Sequence, residues 1–325
     1  MHKNCTYHHF SITDCIMKVI NSILLLLSNL TLFLMSLSAA PQDNWYLDEY
    51  KTFGHAWGMR HPIAIAHGTQ GRTFVVEYDK DRVQFRDANQ SIINLKGCGE
   101  NPRGVTYADG KVYVVSEDSE RVYVFNETGQ SLFTFGSDGT GNGQFKDPYG
   151  IASGYDGNDL EIFVTDPTSD RITVFDENGT YKRKFWSVDG NPRGIVADDN
   201  GSVYVSDSYD RINVFNKAGT LLRSITGVSG DPWGLSIHGT RLAVGNSNGS
   251  HDFVRIYDLN GTFIKQFGTD GSGDGQFKQP YGVAYDANGS LWVADYGNHR
   301  IQVFDGNGTF IRRVGEYIPV TPSLE

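Results

Sequence analysis

Five prolines open a recurring Pro-x-Gly frame: Pro102-Arg103-Gly104, Pro148-Tyr149-Gly150, Pro192-Arg193-Gly194, Pro232-Trp233-Gly234 and Pro280-Tyr281-Gly282, with a degenerate first copy at Pro62-Ile63-Ala64. The middle position holds Arg103, Tyr149, Arg193, Trp233 and Tyr281. Such side chains recognise rather than react. Aromatic rings supply contact area with a polar handle, and guanidinium groups supply forked donors. A second repeated pair sets an acid ahead of an arginine: Glu77/Arg82, Glu117/Arg121, Asp166/Arg171, Asp207/Arg211 and Asp295/Arg300. A carboxylate beside an arginine suits acid–base work. Five copies cannot all be one active site, so the pair reads as an ion pair that fixes a loop. Beyond residue 40 the histidines are His55, His61, His67, His238, His251 and His299. Only His61 immediately precedes a repeat proline; the equivalent residues are Asn101, Asp147, Asn191, Asp231 and Gln279. No GxSxG, HExxH or paired-cysteine motif is present.

The elements that must carry these residues follow from the period. Successive repeat prolines are 40, 46, 44, 40 and 48 residues apart, a spacing that, filled with short strands, marks a propeller. The last unit is the clearest. Tyr281 to Tyr285 reads as a strand, Asp286-Ala287-Asn288-Gly289 as a turn, and Ser290 to Ala294 as a second strand. Asp295 to His299 is a polar loop, and Arg300 to Phe304 alternates as a half-buried strand does. Asp305-Gly306-Asn307-Gly308 turns again into Thr309 to Val314. Each unit is thus a four-stranded antiparallel meander, and six of them stacked radially cover one another's faces. The fold class is all-β, a six-bladed β-propeller.

Residues 280–315, PYGVAYDANGSLWVADYGNHRIQVFDGNGTFIRRVG, resemble an NHL repeat, and 148–175 and 192–215 are near copies. The resemblance covers about residues 61–315. It implies a six-bladed propeller in which the Pro-x-Gly frame opens the innermost strand beside the mouth of the central channel. Six-fold geometry then sets Arg103 opposite Trp233, and Tyr149 opposite Tyr281. This ring is the candidate ligand site; the competing reading is a plug of mutually stacked side chains. The family includes RNA-binding and ubiquitin-ligase proteins, sensor domains, a peptide-amidating lyase that uses histidines on a zinc, and secreted proteins, so membership does not settle function. His299 lies in the Asn298-His299-Arg300 segment that marks the repeat, which implies a structural position.

Two matching linkers, residues 136–148 and 268–280, contain half of a calcium-loop pattern at Asp270 and Asp274, with Tyr281 where the bidentate Glu belongs. With half a ligand set, calcium at Asp270 and Asp274 is the one cofactor candidate, and no other cofactor is expected. Asn-x-Ser/Thr occurs at Asn89, Asn126, Asn178, Asn200, Asn248, Asn260, Asn288 and Asn307. Each is a candidate glycan acceptor in an exported chain, but most are Asn-Gly turns, so turn chemistry alone is expected to explain their number. Cys5 and Cys15 precede the repeats, which leaves Cys98 alone in Gly97-Cys98-Gly99 as a bystander.

The N-terminus is of another kind. Ile20 to Ala40 is almost continuously apolar, follows Lys18, and ends in Ser38-Ala39-Ala40. Residues 1–40 read as a signal peptide cleaved near Ala40, or as a retained signal anchor, with 1–16 an upstream extension before Met17. Either way the rest is placed outside the cell, secreted or membrane-anchored by residues 20–40. Residues 41–57 form an N-terminal segment in which Tyr50 to Phe53 is a candidate closing strand, 58–315 the propeller, and 316–325 a tail. The formal charge of −10 argues against a nucleic-acid footprint. The leading expectation is an extracellular, non-enzymatic module whose channel mouth binds a protein or glycan. The alternatives are a propeller-type lyase or hydrolase with a metal near the axis, using His61 with Asp147 or Asp231, and, less favoured, RNA binding. N-terminal sequencing of protein from the producing cell tests export. A start close to Pro41, or membrane-held protein with its ectodomain outside, is expected; soluble cytoplasmic protein retaining Met1 contradicts both forms.

Overall fold

The computed structural model describes residues 58–315 except 188, 189 and 250. The proposed signal or anchor segment, the 41–57 stretch with its candidate closing strand, and the 316–325 tail lie outside the described residues.

Six four-stranded antiparallel sheets, each built from consecutive strands, form the blades. Their first strands are Pro62–His67, Pro102–Ala108, Ile151–Asp156, Pro192–Ala197, Pro232–His238 and Pro280–Tyr285. The sixth blade continues through Leu291–Asp295, Arg300–Phe304 and Phe310–Val314, within a residue or two of the sequence reading. Helical structure among the described residues amounts to four three-residue 3₁₀ turns, and no described helix is long and apolar enough to cross a membrane.

The hydrophobic core is not central but divided among the seams. Six buried clusters each draw on two neighbouring blades. The cluster of Phe74, Val83 and Phe85 with Val105, Val112 and Phe125 joins blades 1 and 2, and the cluster of Ile65 and Val75 with Trp292, Ile301 and Val314 joins blades 6 and 1. A phenylalanine on the third strand recurs at the seams. Phe125 meets Phe85 at 5.7 Å, Phe175 meets Phe135 at 4.8 Å, Phe215 meets Phe185 at 5.2 Å and Phe304 meets Phe267 at 4.9 Å. The long linkers add a plug of their own, for Phe145 and Phe277 are fully buried against Phe175 and Phe304. Cys98 is buried in the blade 1–2 cluster, where burial pushes its thiol pKa up.

Closure is made without any described strand crossing from one blade to another. The Met59 N–H donates to the Gly315 carbonyl at 3.0 Å, and the Met59 side chain is fully buried in the 6–1 cluster. Three histidines, His61, His67 and His299, occupy the same seam. His67 stands edge-on to Trp292 with ring centroids 4.8 Å apart, and the His299 Nδ1 accepts the His61 N–H at 3.2 Å. Burial, opposed by the nearby Asp286 charge, lowers the His67 pKa to about 4. Burial, then the adjacent His61, lowers that of His299. Both shifts mean that folding favours the neutral ring. The seam's contribution is therefore complete above the ordinary histidine pKa and is lost as pH falls toward about 4. Stability measured against pH should fall more steeply between about 6.5 and 4 in the wild type than in His67→Phe. Equal slopes would remove this histidine as the cause.

Candidate functional site at the channel mouth

The antiparallel register decides which residues share the mouth. Each first strand begins there, and the end of each second strand returns to it: Pro62 pairs with Glu77, Pro102 with Ser116, Pro192 with Asp207 and Pro280 with Asp295. The loops between second and third strands therefore stand beside the Pro-x-Gly ring and contribute Tyr78, Asp79, Glu117, Tyr296 and His299. The sequence reading missed Tyr78, Asp79 and Tyr296 and gave Glu117 and His299 structural roles only. The signal was the meander itself, because antiparallel order alone returns every second loop to the end where the first strand began.

The glycine of the frame is a packing residue. In Gly104, Gly150, Gly194, Gly234 and Gly282 an added Cβ would run into the backbone carbonyl of the next blade's middle residue, 2.9 Å away at Gly104 and 2.5 Å at Gly234, and well inside van der Waals contact at Gly194. None of the five has a positive φ, so the requirement is close approach and not turn geometry. Hydroxyl groups complete the joint. Thr165 Oγ1 accepts the Gly150 N–H at 2.7 Å and donates to the Arg193 carbonyl at 2.7 Å. Ser206 does the same between the Gly194 N–H, at 2.9 Å, and the Trp233 carbonyl, at 2.8 Å. With its carbonyl held inward against the neighbouring blade, the middle residue is left to project its side chain over the mouth.

There the side chains form one continuous plate. Arg103 lies over Tyr78 and Tyr149, at 4.3 and 4.7 Å from the ring centroids. Tyr149 meets Trp233 at 5.5 Å, Trp233 meets Tyr281 at 4.5 Å, and Tyr281 meets Tyr296 edge-on at 5.1 Å. Tyr296 stacks on His61 at 4.4 Å, and Arg193 lies over Trp233 at 4.2 Å. Arg103 and Trp233 stand on opposite blades, and their side chains meet through Tyr149, on which both lean. Beneath the plate the channel, lined by Ile63, Val105, Ile151, Ile195, Leu235 and Val283, holds a cavity of ≈ 90 Å³, far below the roughly 300–1,000 Å³ of small-molecule sites.

Both plate guanidinium groups have a carboxylate beside them. Arg103 donates to Glu117 at 2.6 Å and Arg193 pairs with Asp231, while the His61 ring meets the Asp79 carboxylate. The Trp233 indole N–H also donates to Asp231, at 3.0 Å. Burial dominates the phenols, pushing the Tyr149 pKa well up against the Arg103 charge and that of Tyr296 up to about 12. The plate is therefore a set of neutral rings and internally paired charges.

The other sequence-predicted sets resolve as follows. Glu77, Asp166, Asp207 and Asp295 hold their arginines at 2.5, 3.2, 3.0 and 2.8 Å. Two of those arginines also clamp the long linkers, Arg171 on the Thr140 carbonyl at 2.6 Å and Arg300 on the Gly273 carbonyl at 2.8 Å. Glu117 departs from the pattern, because Arg103 lies within its reach while Arg121 is exposed. His61, Asp147 and Asp231 do not assemble: His61 takes Asp79, Asp147 takes Thr168, and Asp231 takes Arg193 and Trp233. Among the described residues no group of three or more His, Cys, Asp or Glu is placed to hold a metal. Asp270 accepts the Asp252 N–H at 2.6 Å and Asp274 pairs with Arg313 at 2.7 Å, so both carboxylates of the half calcium loop already have protein partners.

Residues 277–304 match the NHL repeat family model. The sixth blade is an NHL repeat. The similarity to known proteins is strong but local. Protein lin-41 of Caenorhabditis elegans is 46% identical over 50 residues, 15% of this chain and 4% of that protein. NHL repeat-containing protein 3 of Homo sapiens is 53% identical over 38 residues, 12% of this chain and 11% of that one. The chain thus matches a small fraction of the length of these relatives. Among solved structures, the NHL-type propeller resembles a streptogramin B lyase, with a TM-score of 0.59 and 13% identity over 82% of this chain and 86% of that chain. It also resembles a chain of a nidogen/laminin complex, with a TM-score of 0.57 and 20% identity over 77% and 91%. At these identities the likeness is one of fold.

The glycine joint makes a clear prediction. Gly194→Ala should destabilise the propeller by more than about 3 kcal/mol, because the obstructing atom is backbone and cannot rotate away. Ala64→Gly, at the frame position that already tolerates a methyl group, should cost no more than about 1 kcal/mol. Thermal melts of both variants provide the check.

Proposed function

We propose that the chain is a non-enzymatic interaction module, exported from the cell, that presents the channel-mouth plate to a protein partner. One observation carries the reading: the mouth is covered by packed, mutually tilted aromatic rings whose guanidinium groups are already paired. Such a surface offers area and orientation with little entropy left to lose on docking, which favours a protein face. At the mouth a small ligand would find a cavity of only ≈ 90 Å³. A sugar would need an open ring face, whereas the Trp233 ring is already covered by Arg193 and Tyr281 at 4.2 and 4.5 Å. Nucleic acid would need unpaired cations, and Arg103 and Arg193 are held by Glu117 and Asp231. Export is supported by the apolar segment Ile20 to Ala40. That a propeller of this fold was solved in a nidogen/laminin complex supports a protein partner in kind.

An array of secreted proteins and glycans probed with the purified chain tests the reading. A protein ligand is expected. Trp233→Ala should weaken it by about 2 kcal/mol, roughly thirtyfold, and Asp231→Asn should weaken it less while leaving the melting temperature near wild type. Binding should depend only shallowly on salt. Affinity within twofold of wild type in both variants would move the site elsewhere, and a glycan ligand or stoichiometric zinc with lyase activity would replace the reading.

A further inference from the structure

The eight Asn-x-Ser/Thr motifs of the propeller are distributed unevenly over its two faces. Turns between first and second strands, and between third and fourth, all lie at the end away from the mouth. In blade 6, for example, Tyr285 pairs with Leu291 and Phe304 with Phe310. Asn200 and Asn288 sit in turns of the first kind, and Asn89, Asn126, Asn178, Asn260 and Asn307 in turns of the second. Only Asn248, between Arg241–Ser247 and Asp252–Asp258, stands on the mouth side.

Turn chemistry does not account for these asparagines. In five of the turns the residue's backbone N–H donates to the preceding aspartate Oδ1 at 2.8–3.0 Å, from Asn178, Asn200, Asn260, Asn288 and Asn307. Any residue supplies that N–H, and blade 4 sets Ala218 at the corresponding place. None of the five has a positive φ, so the left-handed backbone that favours asparagine is not in play. Their side chains, with that of Asn89, are exposed. Asn126 differs, since its Oδ1 clamps its own turn by accepting the Thr128 and Gln130 N–H groups at 3.0 and 2.9 Å.

We propose that the turn face is an N-glycosylated face, carrying sugar on several of Asn89, Asn178, Asn200, Asn260, Asn288 and Asn307, and that the mouth face is the bare one. In the transfer, the asparagine side-chain nitrogen loses a proton and forms a bond to the anomeric carbon of the sugar. The bond from that carbon to a phosphate oxygen breaks, and the diphosphate leaves. The donor is a lipid-linked oligosaccharide diphosphate, and the transferase is that of the host's secretory route. The proposal rests on the export part of the proposed function. It adds a reason for the choice of docking face, because bulky hydrated chains on one side leave the plate as the accessible side.

The full-length protein, expressed in a eukaryotic secretory cell, is first located by protease protection and then analysed by glycopeptide mapping with and without peptide N-glycosidase. The expected result is a stepwise loss of mass on treatment, with Asp read at several of the six turn-face positions and little at Asn126. Exported protein whose mass does not change overturns the proposal while leaving export and the mouth reading standing. Sugar found on Asn248 alone overturns it too, by placing the modification on the wrong face. Protein retained in the cytoplasm overturns export and this proposal together. The mouth reading fails or stands separately, through Trp233→Ala binding measured on enzymatically deglycosylated protein.

Discussion

The propeller depends on how closely neighbouring inner strands approach near its axis. At five of six repeats a glycine Cα receives the carbonyl of the next blade, and at Gly104 a methyl group there would lie 2.9 Å from the Tyr149 oxygen. This contact sets the radius of the ring. A wider ring would open the channel and lose the overlap of phenylalanines that fills each seam. A narrower one would press the aliphatic lining together. Thr165 and Ser206 turn the approach into a directed joint, each satisfying an N–H on its own blade and a carbonyl on the next. Buried carbonyls so close to the axis would otherwise go without donors, at a cost of about 1–3 kcal/mol each.

The same joint explains why the mouth is a plate and not a pocket. Once the backbone carbonyls are held against the neighbouring blade, five of the six middle side chains leave a small circle together, Ile63 being buried in the seam of blades 1 and 2 instead. Large residues placed on so small a circle must touch, and here they do, through Tyr149 and Trp233. The loops then enclose them with carboxylates and further rings. The resulting surface presents relief and polar edges and not a deep cavity.

Much of the fold was legible in the chain. Period, turn dipeptides and alternation located blade 6 nearly residue by residue, because these signals are local and strong. The positions of the ring residues were legible as well. Their contacts were not. Six-fold symmetry placed Arg103 and Trp233 on opposite blades, but it is silent on side-chain length and direction, and those bring both onto Tyr149. The exchange of Arg121 for Arg103 as the partner of Glu117 was hidden for a similar reason, since a repeated sequence pair suggests a repeated contact. His61 and His299, 238 residues apart, meet only because the ring closes, and nothing in either local sequence points to the other.

That closure also has a mechanical side. The Met59 N–H to Gly315 carbonyl bond ties together the two ends of the described chain at a single seam. A tension applied between those ends passes straight from one to the other there. The remaining five seams carry no load until that junction parts, however well packed they are. The ring therefore resists extension only as strongly as its clasp, and once the clasp yields the blades are exposed to force one after another from either end.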